Sequence, residues 1–196
     1  MDFKCRKEVS LVDRIERIKQ LVESKKDRWI GLSDAIWATP ELFFKEYKSS
    51  KMLADALEAE GFSIEWNVGC ETAFVASWGK GKPVIAIMGE FDALPGLSQV
   101  AGLNEKQPIE ENAPGHGCGH NALGTGSAAA VVAVKAYMEE HGLEGTLKYI
   151  GSPAEETGGG KIFMMRAGAF DDVDIAIAWH PGSVNGMLGC GLLSDR

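Results

Sequence analysis

The chain has 196 residues, 45% of them hydrophobic and 24% charged, which suits one sizeable core and excludes a disordered polar chain. A formal charge of −8 argues against nucleic acid as a partner, because phosphate binding needs clustered basic residues, and pairs such as Lys25-Lys26 sit among acids as solvated helix faces. No run of eighteen apolar residues offers a membrane span, Met1 to Arg6 is charged where a secretory leader is apolar, and Cys5, Cys70, Cys118 and Cys190 form no CxxC pair, so a reducing cytoplasm is the expected compartment.

Along the chain, Val9, Val12, Ile15, Ile18 and Val22 recur at helical spacing and predict an amphipathic helix over residues 8–29. Asp34 to Trp37 forms a second helical piece that Thr39-Pro40 ends, since the residue before a proline avoids helical geometry. Ser49 or Ser50 can cap a third helix running to about Glu60, with Leu53, Ala56 and Leu57 inward and Gly61 as its stop. The period then changes, and residues 62–67 and 72–78 read as strands joined by a turn containing Gly69. Val84 to Met88 is a continuous apolar run, suited to a strand buried on both faces. Residues 104–114 are polar and read as a loop, and the alanine-rich stretch 122–137 as a helix able to lie close against a sheet. Buried strands at 147–150 and 173–179 follow, with a helix near 161–167 between them. Helices alternating with apolar strands predict an α/β fold with a mainly parallel core.

Three polar clusters stand at the ends of these elements: Gly115 to Asn121 with Cys118 and His120, Pro153-Ala154-Glu155-Glu156, and Trp179-His180-Pro181. Glu90 and Asp92 follow the strand at 84–88. Ligands of open α/β sheets collect beyond the carboxyl ends of strands, so these loops are expected to converge on one edge. A thiol, imidazoles and carboxylates are the donors of a borderline metal such as zinc, manganese or cobalt. Adjacent Glu155 and Glu156 cannot easily both point at one atom, so one can ligate while the other faces coordinated water, whose pKa falls from roughly 15.7 towards about 7.

Each residue also has a plainer reading. Cys118 alone suits a buried apolar site, Glu155-Glu156 a solvated pair, and His180 a strand end; Glu90 and Asp92 can cap a turn, and His116 suits either a supporting position or a loop. The cluster from Gly117 to Ala122 loosely fits a dinucleotide fingerprint but lacks the preceding strand, and Gly158 to Lys161 lacks the outer parts of a phosphate loop. Cys118 with a histidine base is a third reading, that of a cysteine hydrolase.

Gly-His-Gly-Cys-Gly-His-Asn at 115–121, Pro-Ala-Glu-Glu at 153–156, Trp-His-Pro at 179–181 and Gly-Glu-Phe-Asp-Ala-Leu-Pro at 89–95 together resemble the M20 metallopeptidases, in their cysteine-containing amidohydrolase branch. Asp171-Asp172-Val173-Asp174 and the run from Gly160-Lys161 to Met164-Met165-Arg166 look like the aminobenzoyl-glutamate hydrolase B-subunit type, and the similarity runs from about residue 30 to 188. The resemblance implies a three-layer α/β fold with a mainly parallel central sheet of the zinc-exopeptidase type. It implies a hydrolase of amides in N-acyl amino acids, dipeptides or aminobenzoyl-glutamate-like conjugates that uses two divalent metal ions, manganese or zinc with cobalt possible. By motif, Cys118, His120, Glu156 and His180 would be metal ligands, Glu155 the general base and Asp92 the carboxylate that orients a ligand. Glu90 stands where the wider superfamily has a metal-binding histidine, and it is left unassigned. Residues 1–196 would be the N-terminal part of the catalytic domain, incomplete, with the inserted domain through which the family forms homodimers absent and the tail from about Gly189 unlike the family. A small amide or dipeptide is then the expected partner, without nucleic acid or membrane. The alternative is an inactive truncated fragment that binds metal or a protein partner.

Overall fold

The computed structural model describes residues 10–184 and 186, so Cys5, Cys190, the expected helix start at residues 8 and 9 and the divergent tail from residue 189 lie outside the described residues. Helices α1 (Leu11–Glu23), α2 (Lys26–Trp37) and α3 (Tyr47–Glu58) come first, then strands β1 (Ser63–Trp66), β2 (Phe74–Lys80) and β3 (Val84–Glu90). Helix α4 (His120–His141), strand β4 (Gly145–Ser152), helix α5 (Gly160–Arg166) and strand β5 (Ile175–Ile177) complete the order. No helix among the described residues is long and apolar enough to cross a membrane.

The first two helices divide the chain differently from the expected 8–29 and 34–37 pieces. Ser24 ends α1 by donating its hydroxyl to the Leu21 carbonyl, and Lys25 leaves helical geometry at φ −119°, ψ 12°. The chain re-enters a helix one residue later, which lets α2 turn Trp29 and Ile36 into the core while α1 stays outside with no fully buried residue. Helix α3 likewise starts earlier than a serine cap implies, and Ser49 and Ser50 are buried inside its first turns. Its free amides are taken by Glu41, whose carboxylate accepts from the Lys48 and Ser49 N–H groups and the Ser49 hydroxyl at 2.8–3.1 Å. A carboxylate at a helix N-terminus also meets the positive end of the helix dipole.

The five strands lie in the order β1-β2-β4-β3-β5. Strand β3 runs parallel to both β4 and β5, giving the expected parallel core, while the β1–β2 hairpin adds an antiparallel ribbon at one edge. Strand periodicity sorts the core into two layers. Phe74, Ala76, Ile87, Leu147 and Tyr149 face Trp29, Ile36, Leu53, Leu57 and the inner side of α4. Val75, Ala86, Met88 and Ile150 face Met164 of α5 and Ala169. The result is the three-layer arrangement expected from the sequence. Strand β5 departs from its expectation as a buried strand over 173–179. It has three residues, and Ile175 and Ile177 are each 49% exposed, because among the described residues only β3 pairs with it.

The sheet is tightly packed beside α4, where Tyr149 of β4 lies against Gly89 of β3. Tyr149 is fully buried, stacks on Phe74 at 5.6 Å and donates its hydroxyl to the Gly124 carbonyl at 3.1 Å. A Cβ at Gly89 would come within 2.0 Å of that hydroxyl. Gly89→Ala is therefore expected to destabilise the fold by roughly 1–3 kcal/mol through overpacking, read from the urea midpoint at unchanged slope; a midpoint equal to that of the wild type would refute this packing account.

Candidate metal centre

The register of the parallel strands brings the polar clusters together. Strands β3 and β4 pair through Glu90 and Ser152, and β3 and β5 through Ile87 and Ile177, so the loops after all three strands leave from one edge. Helix α4 begins over that edge with His120 as its first residue, behind Gly119 at φ 78°. Two 3.0 Å backbone hydrogen bonds between Leu94 and Gly115 tie the segment carrying Asp92 to the one carrying Cys118 and His120. Gly124 lets α4 approach closely, since a Cβ there would fall 2.5 Å from the Glu90 carbonyl oxygen.

His120 is the meeting point. It is 1% exposed, and its Nδ1 lies 2.8 Å from Asp92 Oδ1. Asp92 is itself buried and accepts the Glu156 N–H on its second oxygen at 3.1 Å. Donation from Nδ1 to Asp92 leaves Nε2 as the outward atom. Nε2 is buried with no hydrogen bond, 3.2 Å from Glu90 Oε2 and 3.8 Å from Glu156 Oε1. On the open side Cys118 Sγ is 3.1 Å from His180 Nε2, and the His120 and His180 rings meet edge to face at 5.7 Å. Donor atoms of Cys118, His120 and His180 lie within 4.8 Å of one another, and so do those of Glu90, His120 and Glu155. His120 belongs to both sets.

The electrostatics fit a cation at this point. Burial opposes charge on Asp92, yet the hydrogen bonds from His120 and the Glu156 amide outweigh it and hold its pKa below the usual carboxylate value. Burial likewise works against a proton on His120, but Asp92, Glu90 and Glu156 together raise its pKa. Burial first, and then the carboxylates of Glu156, Glu155 and Glu90, push the Cys118 thiol up to about 12. Cys118 and His180 have the reach of a nucleophile and its base, but a thiol held neutral is the opposite of an activated one. The carboxylates of Glu90, Asp92, Glu155 and Glu156, gathered around His120 with Lys161 as their ammonium partner, favour a further positive charge among them. A divalent metal satisfies that need, and the donor set suits one.

All six residues singled out from the sequence, Asp92, Cys118, His120, Glu155, Glu156 and His180, are brought to this edge. Glu90 joins them from the last position of β3. His116 does not: it is buried beneath the cluster with Nε2 3.1 Å from the Ile36 carbonyl, and burial pushes its pKa down to about 4. Sequence reasoning missed Lys161, which pairs with Glu90 and lies 3.6 Å from Glu155 Oε1. The one available signal was an ammonium group at the end of the glycine run that follows the paired glutamates and Thr157.

Comparison with known proteins adds an independent line. Residues 86–192 match the Peptidase family M20/M25/M40. A p-aminobenzoyl-glutamate hydrolase subunit from Escherichia coli (strain K12) is 48% identical over 179 residues, 91% of this chain and 37% of that protein. The Xaa-Arg dipeptidase of Mus musculus is 32% identical over 191 residues, 91% of this chain and 40% of that protein. A dinuclear metal-binding peptidase of the M20 family from Bacillus subtilis superposes with a TM-score of 0.66 at 25% identity, over 84% of this chain and 44% of that one. The chain thus spans about two fifths of the length of the curated relatives it matches. Since the matched segment covers more than half of the chain and runs from β3 through His120 and Glu156 to His180, the chain belongs to peptidase family M20/M25/M40.

Proposed function

We propose that this cluster holds divalent metal and hydrolyses the amide bond of a small conjugate of the aminobenzoyl-glutamate, N-acyl amino acid or dipeptide kind. The observation that carries the reading is the buried, unpartnered Nε2 of His120 among the Glu90 and Glu156 carboxylates, with Cys118 and His180 beside it. The names of the relatives, an aminobenzoyl-glutamate hydrolase subunit and a dipeptidase, support the substrate class. In this reading residues 1–196 are the N-terminal part of the catalytic domain of a metallohydrolase. Manganese or zinc is the proposed ion, with cobalt acceptable to the same donors, and two ions are proposed because the similar M20 peptidase from Bacillus subtilis is a dinuclear metal-binding one. The free thiols of Cys70 and Cys118 support a reducing cytoplasm.

The proposed roles are those that the family motifs imply. Cys118, His120 and His180 hold the metal with Glu156, whose Oε1 is 3.8 Å from His120 Nε2, and Asp92 fixes the His120 ring so that Nε2 faces the ion. Metal bound there would supply Lewis acidity, polarising the scissile carbonyl and making water acidic enough to react near neutral pH. Glu155 takes the proton of the attacking water as its oxygen adds to the carbonyl carbon. It then returns that proton to the amide nitrogen as the carbon–nitrogen bond breaks, releasing an acid and an amine. Lys161, 3.6 Å away, holds the Glu155 carboxylate at the rim.

Titration of Mn²⁺ or Zn²⁺ into the chain and an assay of p-aminobenzoyl-glutamate cleavage test this. Chelation is expected to abolish turnover and added Mn²⁺ or Zn²⁺ to restore it; cleavage that persists in excess chelator would sink the metal reading. Glu155→Gln is expected to lower turnover by roughly 10²–10⁴-fold with metal affinity nearly unchanged, and a variant that keeps wild-type turnover removes Glu155 from the mechanism. Asp92→Asn is expected to weaken metal binding by roughly 10–100-fold, as for other partners of a ligating imidazole; unaltered affinity in calorimetry would contradict its orienting role.

A further inference from the structure

Glu46, the residue before α3, is a carboxylate with no exposed surface, far in sequence from the residues of the metal centre, and both of its oxygens are hydrogen-bonded. Its Oε1 accepts the Phe44 N–H at 3.0 Å and the Ala154 N–H at 2.9 Å, and its Oε2 accepts the Thr72 hydroxyl at 3.0 Å. The two backbone partners have something in common. The described non-glycine residues with positive φ are Phe44 at 58°, Asn67 at 61°, Asn112 at 61° and Ala154 at 52°. Asparagine visits the left-handed region readily, whereas alanine and phenylalanine do so against steric repulsion and need their surroundings to hold them there. Both of the reluctant residues give their N–H to the same oxygen of Glu46.

The consequence falls on the metal centre, because Ala154 immediately precedes Glu155 and Glu156. The Ala154 carbonyl accepts the N–H groups of Gly158 at 3.1 Å and Gly160 at 3.3 Å, which closes the loop behind the two glutamates. Its N–H is held from the other side by Glu46. The left-handed step at Ala154 turns the chain as it leaves β4, so that the Glu156 amide reaches Asp92 and Glu155 reaches Lys161. We propose that Glu46 is a positioning residue for the loop carrying Glu155 and Glu156, imposing the left-handed turn at Ala154 by accepting its N–H. This rests on the metal-hydrolase reading for its functional meaning, though not for the structural constraint itself.

Burial pushes the Glu46 carboxyl up to about 7 against the hydrogen bonds it receives, so it is partly a neutral acid near neutral pH. Glutamine reproduces that form: its carbonyl oxygen can keep both backbone N–H groups, and its amide can donate to the Thr72 oxygen. Methionine matches the length and packing of the side chain and accepts neither N–H. Glycine at 154 adopts positive φ without strain and so removes the need for an external hold.

Amide hydrogen exchange in the full chain, followed by NMR without metal, is the first readout. The wild-type Ala154 amide is expected to exchange at least ~100-fold more slowly than a solvated amide, and free exchange overturns the proposal without any variant. Glu46→Gln is expected to keep that protection, and Glu46→Met to lose about tenfold of it while the protection of core amides in β3 and β4 stays at the wild-type level. Mn²⁺ titration is the second readout. Glu46→Met is expected to weaken binding about tenfold, Glu46→Gln to bind as the wild type, and Glu46→Met with Ala154→Gly to recover within about threefold. Wild-type exchange and affinity in Glu46→Met overturn the proposal, and so does a loss that Ala154→Gly does not rescue. A wild-type chain that binds no Mn²⁺ or Zn²⁺ refutes the metal reading instead, and the exchange measurements still decide the role of Glu46.

Discussion

The Asp92 carboxylate is the interaction on which the site and its surroundings depend. A buried negative charge is tolerated only when it is paired and hydrogen-bonded, and Asp92 uses its two oxygens on two different segments. One oxygen takes the ring of His120 at the start of α4; the other takes the amide of Glu156 in the loop after β4. Asp92 itself stands two residues beyond β3, so one side chain fixes the relative positions of three chain segments at the sheet edge. Removing either partner would leave a charge stranded in the core. The stability of this end of the fold and the geometry of the donors are therefore one property.

Around that anchor the charges do not balance. Glu90, Asp92, Glu155 and Glu156 face one ammonium group, that of Lys161, and an imidazole whose basicity they raise. In a partly water-excluded pocket such an excess of like charge is costly. Burial first, and then Glu156, Glu155 and Glu90, raise the pKa of the Cys118 thiol. A divalent cation reverses each of these effects at once: it would favour the thiolate, replace a proton on His120 and offset the carboxylates. The same arrangement is thus poorly suited to a cysteine nucleophile and well suited to a metal.

Much of this was legible in the sequence because it is written in local pattern. The apolar run of β3, the alternation in β2 and the small-residue stretch of α4 each specify an element, and the order of elements specifies a parallel core whose strand ends carry the donors. What was not legible depends on partners distant in sequence. Glu41 caps α3 from a position before the helix, which a search for Ser or Asp at the boundary does not find. Lys161 meets Glu90 across 71 residues, and Glu46 meets Ala154 across 108. The division of α1 from α2 rests on Ser24 and Lys25, where the charge pattern continues smoothly and only the backbone turns. Strand β5 misled for the opposite reason: Val173 to Trp179 has the composition of a buried strand, but burial also requires neighbours on both sides.

That exposure divides the metal centre into a firm half and a soft half. His120, Asp92 and Glu90 sit on α4 and β3, inside the core and bonded to one another. His180 instead follows a three-residue strand at the sheet edge and is itself exposed. Its placement relies on the preceding residue: the Trp179 indole donates to Ser127 Oγ at 2.9 Å, and that hydroxyl donates to the Met88 carbonyl at 2.5 Å. Gly126 makes room for the indole, since a Cβ there would fall 2.5 Å from it. The Trp179 hydrogen bond and its ring contact with α4 thus hold the His180 arm, whereas Cys118 lies in the segment tied by backbone hydrogen bonds to Leu94. Local opening follows the density of such contacts, so the His180 arm is the part of the centre able to open without unfolding the sheet. Cys118, His120 and His180 would hold an ion between the two parts, and a ligand shared by them would tie the exposed His180 arm to the buried core.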